Sequence, residues 1–134
     1  MIDTHAALIY TMMLVSAADT DMTDAELQII GDIVNHLPVF RGYDQKRFTK
    51  DLKECAQLLA KPDGLEQALK GIKSALPPKL RETAYAVACD VAAADGEASQ
   101  EELRVIELLR HRFGIDRLLA VAIERAARAR FAVM

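Results

Sequence analysis

Apolar and polar residues alternate nowhere in this chain over the length of a strand, so helices must build the whole fold. Hydrophobic residues make up 51%, weighted toward alanine, while aromatics amount to 5% and tryptophan is absent. Alanine loses no side-chain entropy in a helix and lets helix axes approach closely, so this composition predicts helix-on-helix packing. A length of 134 residues is one domain's worth of protein, enough to close one core. The expected fold is all-α, a single domain over 1–134 built as a compact bundle of about seven helices.

Prolines and glycines set the expected boundaries. The first helix is expected at about 3–18, and the second from Thr23 to about Leu37, stopped by Pro38. The loop that follows carries Val39 and Phe40, expected to plug the core. A third helix starts near Asp44 and ends before Lys61, Pro62, Asp63 and Gly64, and a fourth spans about 64–75. Pro78 suits the first turn of a fifth helix running to about Ala94, because proline's missing N–H is not needed there. The sixth runs from Ser99 to Phe113, with Gly114 as its left-handed C-terminal cap, and the seventh from near Asp116 almost to Met134. In the sixth, Leu103, Ile106, Leu109, Arg110 and Phe113 fall on one stripe, widened by Val105 and Leu108. That leaves Arg104, Glu107, His111 and Arg112 mostly outside.

Residues 6–18 form an apolar run ending in small residues, which mimics a secretory signal. The residues before it include an acid and no lysine or arginine, so the positive flank of such a signal is missing. The run is too short to span a bilayer. A buried helix in a cytoplasmic protein is the expectation. Cys55 and Cys89 sit in apolar stretches without CxxC or zinc-like spacing, as expected of two buried thiols in a reducing compartment.

The net charge of −3 is too mild to imply nucleic acid as a partner, but it is unevenly spread. Residues 1–103 hold ten Lys+Arg against seventeen Asp+Glu, a balance of −7; residues 104–134 hold seven arginines against three acids, a balance of +4. Such a tail is either a solvated helix face neutralising an acidic body or a docking surface for an acidic partner.

The most informative feature is a repeat at an offset of 76 residues: AADTDMTDAEL at 17–27 and AADGEASQEEL at 93–103. Each copy closes an apolar helix and opens an amphipathic one, giving two similar helix–acidic turn–helix hairpins. Thr23-x-x-Glu26 and Ser99-x-x-Glu102 read as capping boxes, each cap contributing about 1 kcal/mol. Capping does not account for Asp19, Asp21, Asp95 and Glu97. Asp19 and Asp95 face the negative end of a helix dipole, and the second acid of each turn adds repulsion. Acids held together against both effects point to a cation or a basic partner, and an all-oxygen donor set suits Ca²⁺ or Mg²⁺ better than zinc. The spacing is not that of an EF-hand, whose bidentate glutamate stands at position 12 rather than 8. One turn offers too few oxygens for calcium, so either water completes a weak site or the two turns share ions.

These turns and their flanks resemble the TerB-like family of tellurite-resistance operons. The matching stretches are VAAADGEASQEEL at 91–103, its weaker copy VSAADTDMTDAEL at 15–27, and LPPKLRETAYAVACDVAAADG at 76–96. The likeness covers essentially the whole chain. It implies a compact helical bundle whose acidic surface holds divalent cations, in bacterial proteins associated with stress and tellurite resistance. Carried over by position, the metal set is Asp19, Asp21, Glu26, Asp95, Glu97 and Glu102, with Ca²⁺ or Mg²⁺ bound weakly. Related domains in co-chaperones and signalling proteins imply an alternative, in which the acidic face docks a protein partner and metal is incidental. Thr20 stands where the second copy has Gly96; if that position needs a positive φ, the first turn is strained there. Asp90, the one charge in residues 84–94, should meet an arginine, a hydrogen-bond network or an ion.

No nucleophile elbow, P-loop, HExxH or Glu-x-x-His pairing occurs. His36 and His111 read as helix C-terminal residues interacting with the dipole, and His5 has no informative context. The expectation is therefore a non-enzymatic protein with no catalytic residues. It should have an unidentified protein partner, no nucleic acid, no membrane insertion, and a monomeric or weakly dimeric state.

Overall fold

The computed structural model describes residues 1–19 and 22–134. Seven helices follow in order: α1 (Thr4–Ser16), α2 (Asp24–His36), α3 (Phe48–Leu59), α4 (Gly64–Ala75), α5 (Arg81–Ala93), α6 (Gln100–Phe113) and α7 (Arg117–Arg130). No strand occurs among the described residues. No described helix is long and apolar enough to cross a membrane.

α1 is apolar on every face, and every residue from Ala6 to Ser16 is buried. A helix with that pattern has to sit inside its neighbours. α2, α3, α4, α5 and α6 all pack on it, and α7 packs on the outside of α5. Asp3 starts α1 by accepting from the Ala6 N–H at 2.9 Å, and Arg47 holds the same aspartate at 2.9 Å. The His5 ring stacks on Phe40 at 5.4 Å, and its Nε2 meets the Val39 carbonyl at 2.9 Å. So His5, which carries no signal in the sequence, fastens the 37–43 loop to α1. Phe40 fills the core as expected, while Val39 is only partly covered. Tyr43 donates to the buried Asp51 at 2.6 Å, extending this clamp to α3.

Three expected boundaries move. Pro78–Leu80 forms a separate 3₁₀ turn, and α5 begins at Arg81. Pro77, ahead of another proline, is held extended at ψ 149°, so the chain tightens through Pro77 O···H–N Leu80 before an α-helix can propagate. Gln45–Arg47 is likewise a 3₁₀ turn ahead of α3, capped by Asp44. α7 stops at Arg130, which pairs with Asp90 on α5. That ion pair is the arginine partner expected for Asp90. On α6, Leu103 is 48% exposed and Arg110 half-buried, so neither belongs to the core stripe; Ile106, Leu109 and Phe113 do. Gly114 caps α6 at φ 66° as expected. Cys55 and Cys89 are both buried free thiols.

Candidate functional site

The two acidic turns, 76 residues apart in the sequence, meet in space. Asp19, Thr23 and Glu26 from the first and Asp95, Glu97, Ser99 and Glu102 from the second line one cleft of about 370 Å³. Five of the six expected ligands thus share a cavity wall; Asp21, like Thr20, lies outside the described residues. Gly96 holds φ 92°, so the second turn does require the left-handed backbone that glycine favours.

Both helix starts are built alike. Thr23 Oγ1 accepts from the Glu26 N–H at 3.1 Å, and Glu26 Oε1 accepts from the Thr23 N–H at 3.2 Å. Ser99 Oγ accepts from the Glu102 N–H at 3.1 Å, and Glu102 Oε1 accepts from the Ser99 N–H at 2.9 Å. Capping alone would leave these glutamates at the surface. Instead Glu26 is 1% exposed and Glu102 is 2% exposed. The neighbouring leucines, Leu27 and Leu103, face outward. The helical phase was present in the sequence: Glu26 lies four, seven and eight residues before Ile30, Ile33 and Val34, and Glu102 stands four and seven before Ile106 and Leu109. Each glutamate therefore occupies the first position of a buried stripe.

Ser16 is a further site residue that the sequence reading passed over. Its buried hydroxyl, at the end of α1, donates to Glu26 Oε1 at 3.3 Å. A lone serine closing an otherwise apolar run was the available signal. Glu102 has no such donor for its second oxygen: Oε2 is buried without a hydrogen-bond partner. Burial first, and then the Glu26 carboxyl beside it, push the Glu102 pKa up to about 8; the Asp19 charge adds to this and the Ser99 amide opposes it. A proton on the pair would give Oε2 a donor, an O–H shared between the two carboxyls. Two desolvated carboxylates side by side are costly, which is why Glu102 keeps its proton well above the usual carboxylate range.

At the mouth of the cleft, Asp95 and Glu97 are exposed and Asp19 is half-buried. The donor set is all oxygen, which fits a hard cation, and the orphaned Oε2 is where such a cation would be felt most. Among the described residues, however, no three acidic, histidine or cysteine side chains are gathered tightly enough to form a ready-made metal cluster. Asp90, paired with Arg130 on another face of α5, is not among the residues lining this cleft.

Neither the curated proteins nor the solved structures contain a match to the chain. A family model does match: Tellurite resistance protein TerB, over residues 5–125. That span takes in both acidic turns and all but the last residues of α7. The chain belongs to the TerB family, the tellurite resistance proteins.

Proposed function

We propose that this TerB-family protein is not an enzyme but a weak divalent-cation binder, taking Ca²⁺ or Mg²⁺ in the cleft between its two acidic turns. One observation carries the reading: a buried glutamate pair, one of whose oxygens has no donor, opens into a cleft lined by three further acids. Glu26 and Glu102 form the inner end, and Asp19, Asp95 and Glu97 the mouth; Asp21 is assigned to the set from the sequence repeat alone. A bound divalent ion would supply the positive charge that lets both inner carboxyls ionise. The chain's own residues fix how that happens. The amides of Thr23 and Ser99 hold one oxygen of each glutamate, Ser16 orients Glu26, and Glu102 Oε2 is left to change partner. Because proton and cation occupy the same pair, affinity should rise with pH.

Cytoplasmic stress physiology linked to tellurite is the setting that family membership favours. Calorimetric titration of Ca²⁺ and then Mg²⁺ into chelator-stripped protein tests the reading, beside an Asp19→Asn/Asp95→Asn double variant and Glu102→Gln. Saturable binding, weakened in the double variant and lost in Glu102→Gln, is expected. Absence of heat and of any shift in melting temperature up to millimolar ion would discard it. The acids would then be a docking face for a basic protein partner, tested by capture that tolerates chelator but not the double variant.

A further inference from the structure

A second cavity, of about 450 Å³, lies on the other side of the 94–99 turn, and nothing in the cation reading uses it. Its volume falls in the range of small-molecule sites. Its walls are apolar: Ala92 and Ala93 from α5, Leu103 and Ile106 from α6, and Phe131 and Val133 beyond the end of α7. Alanine is the local cause of the space, since short methyl side chains on α5 face longer ones on both flanks. Leu103 opens onto this cavity, which gives a reason for a large apolar side chain to be 48% exposed on the first turn of a charged helix.

The polar groups around the cavity are few and differ in availability. The Glu124 carboxylate is engaged, accepting from the Tyr85 hydroxyl at 2.7 Å. The Cys89 thiol is held neutral, pushed up to about 12 chiefly by burial. Glu97 sits at the rim shared with the acidic cleft. Arg128 is exposed on α7 and makes no hydrogen bond or ion pair among the described residues. Of the charged groups that line this apolar space, the uncommitted cation is thus a guanidinium, whose fork of donors matches a carboxylate.

We propose that the cavity between α5, α6 and the end of α7 binds a small anionic amphiphile, an unbranched alkyl carboxylate, with its chain against Leu103, Ile106 and Phe131 and its head group on Arg128. Apolar area supplies the affinity and the guanidinium selects the head. The site shares only its rim, Glu97 and Ala98, with the cation cleft, and neither Arg128 nor the apolar wall of Leu103, Ile106 and Phe131 belongs to that cleft, so it stands whether or not an ion binds there.

Dodecanoate below its micelle concentration, titrated into the full chain and followed by amide NMR and calorimetry, tests this. One molecule per chain should bind saturably, with a dissociation constant on the order of micromolar. Shifts should centre on Ala92, Ala93, Leu103 and Phe131. Dodecanol and dodecylammonium should bind roughly tenfold more weakly, and Arg128→Gln should erase the preference for the carboxylate. Ala132→Trp, a change at an exposed position on the rim, should block binding while leaving the circular dichroism spectrum and melting temperature near those of the parent. The proposal is overturned by non-saturable binding, by equal affinity for dodecylammonium, or by an unchanged preference in Arg128→Gln. Concentration-dependent broadening of the same residues without ligand would also overturn it, because the face would then be a contact between copies.

Discussion

Glu102 illustrates how one side chain can serve as a cap and a charge at once. In a peptide its carboxyl titrates near 4.5, whereas in the fold it is pushed up to about 8. Between those values the unfolded chain has released the proton and the folded chain still holds it, so metal-free stability must fall as pH rises through this window. Below about 4.5 both forms are protonated and this contribution to the pH slope vanishes. Thermal melts of chelator-stripped protein from pH 5 to 9 should show the decline. Glu102→Gln should flatten it and raise stability at pH 9 by about 1–3 kcal/mol, the scale of an unsatisfied buried polar group. A slope unaltered by the substitution would mean that the pair does not share a proton. That both glutamates are buried could have been read from their phase with Ile30 and Ile106. The capping-box pattern concealed it, because a cap is a sufficient reason for glutamate at that position and invites no further question.

Among the elements, the helices themselves were legible and the joints between them less so. Periodicity and punctuation located all seven, since an amphipathic stripe repeats over many residues and tolerates local error. The starts of α3 and α5 were misplaced by a few residues, as the difference between a 3₁₀ turn and an α-turn is a single hydrogen-bond register. The start of α4 depends on a contact that no local pattern reveals. A Cβ on Gly64 would stand 2.0 Å from the Leu58 carbonyl oxygen, so the end of α3 and the start of α4 approach backbone to backbone. Gly64→Ala gains at most about 1 kcal/mol of helix propensity. It must also shift a backbone rather than a side chain, at a cost of about 1–3 kcal/mol. The clash outweighs the propensity, and a lowered melting temperature is expected. An unchanged or higher one would show that the α3–α4 joint is pliable.

At the scale of the whole molecule, the repeat is what the sequence conveyed best and the cavities what it conveyed least. Two turns of matching composition announce a relationship, but their convergence on one cleft is a property of how α2, α5 and α6 pack around α1. The apolar cavity depends on where alanines on α5 face larger residues from two other helices, and one-dimensional spacing does not carry that. Core integrity can be read through the thiols. Cys55 on α3 and Cys89 on α5 are both pushed up to about 12, by burial foremost, so neither should react with a disulfide reagent at pH 8 until denaturant is added. Labelling of Cys89 alone in native conditions would place an opening at the α5–α7 side. The dual duty of Glu26 and Glu102 also bears on genetics. An alanine at either position removes a helix cap and a buried carboxyl in one step, and on the proposed cation reading a ligand as well, so a survival screen would merge lost binding with lost protein. Glutamine keeps the cap and discards only the ionisable acid, which makes amide and alanine variants a pair whose difference in phenotype separates abundance from activity.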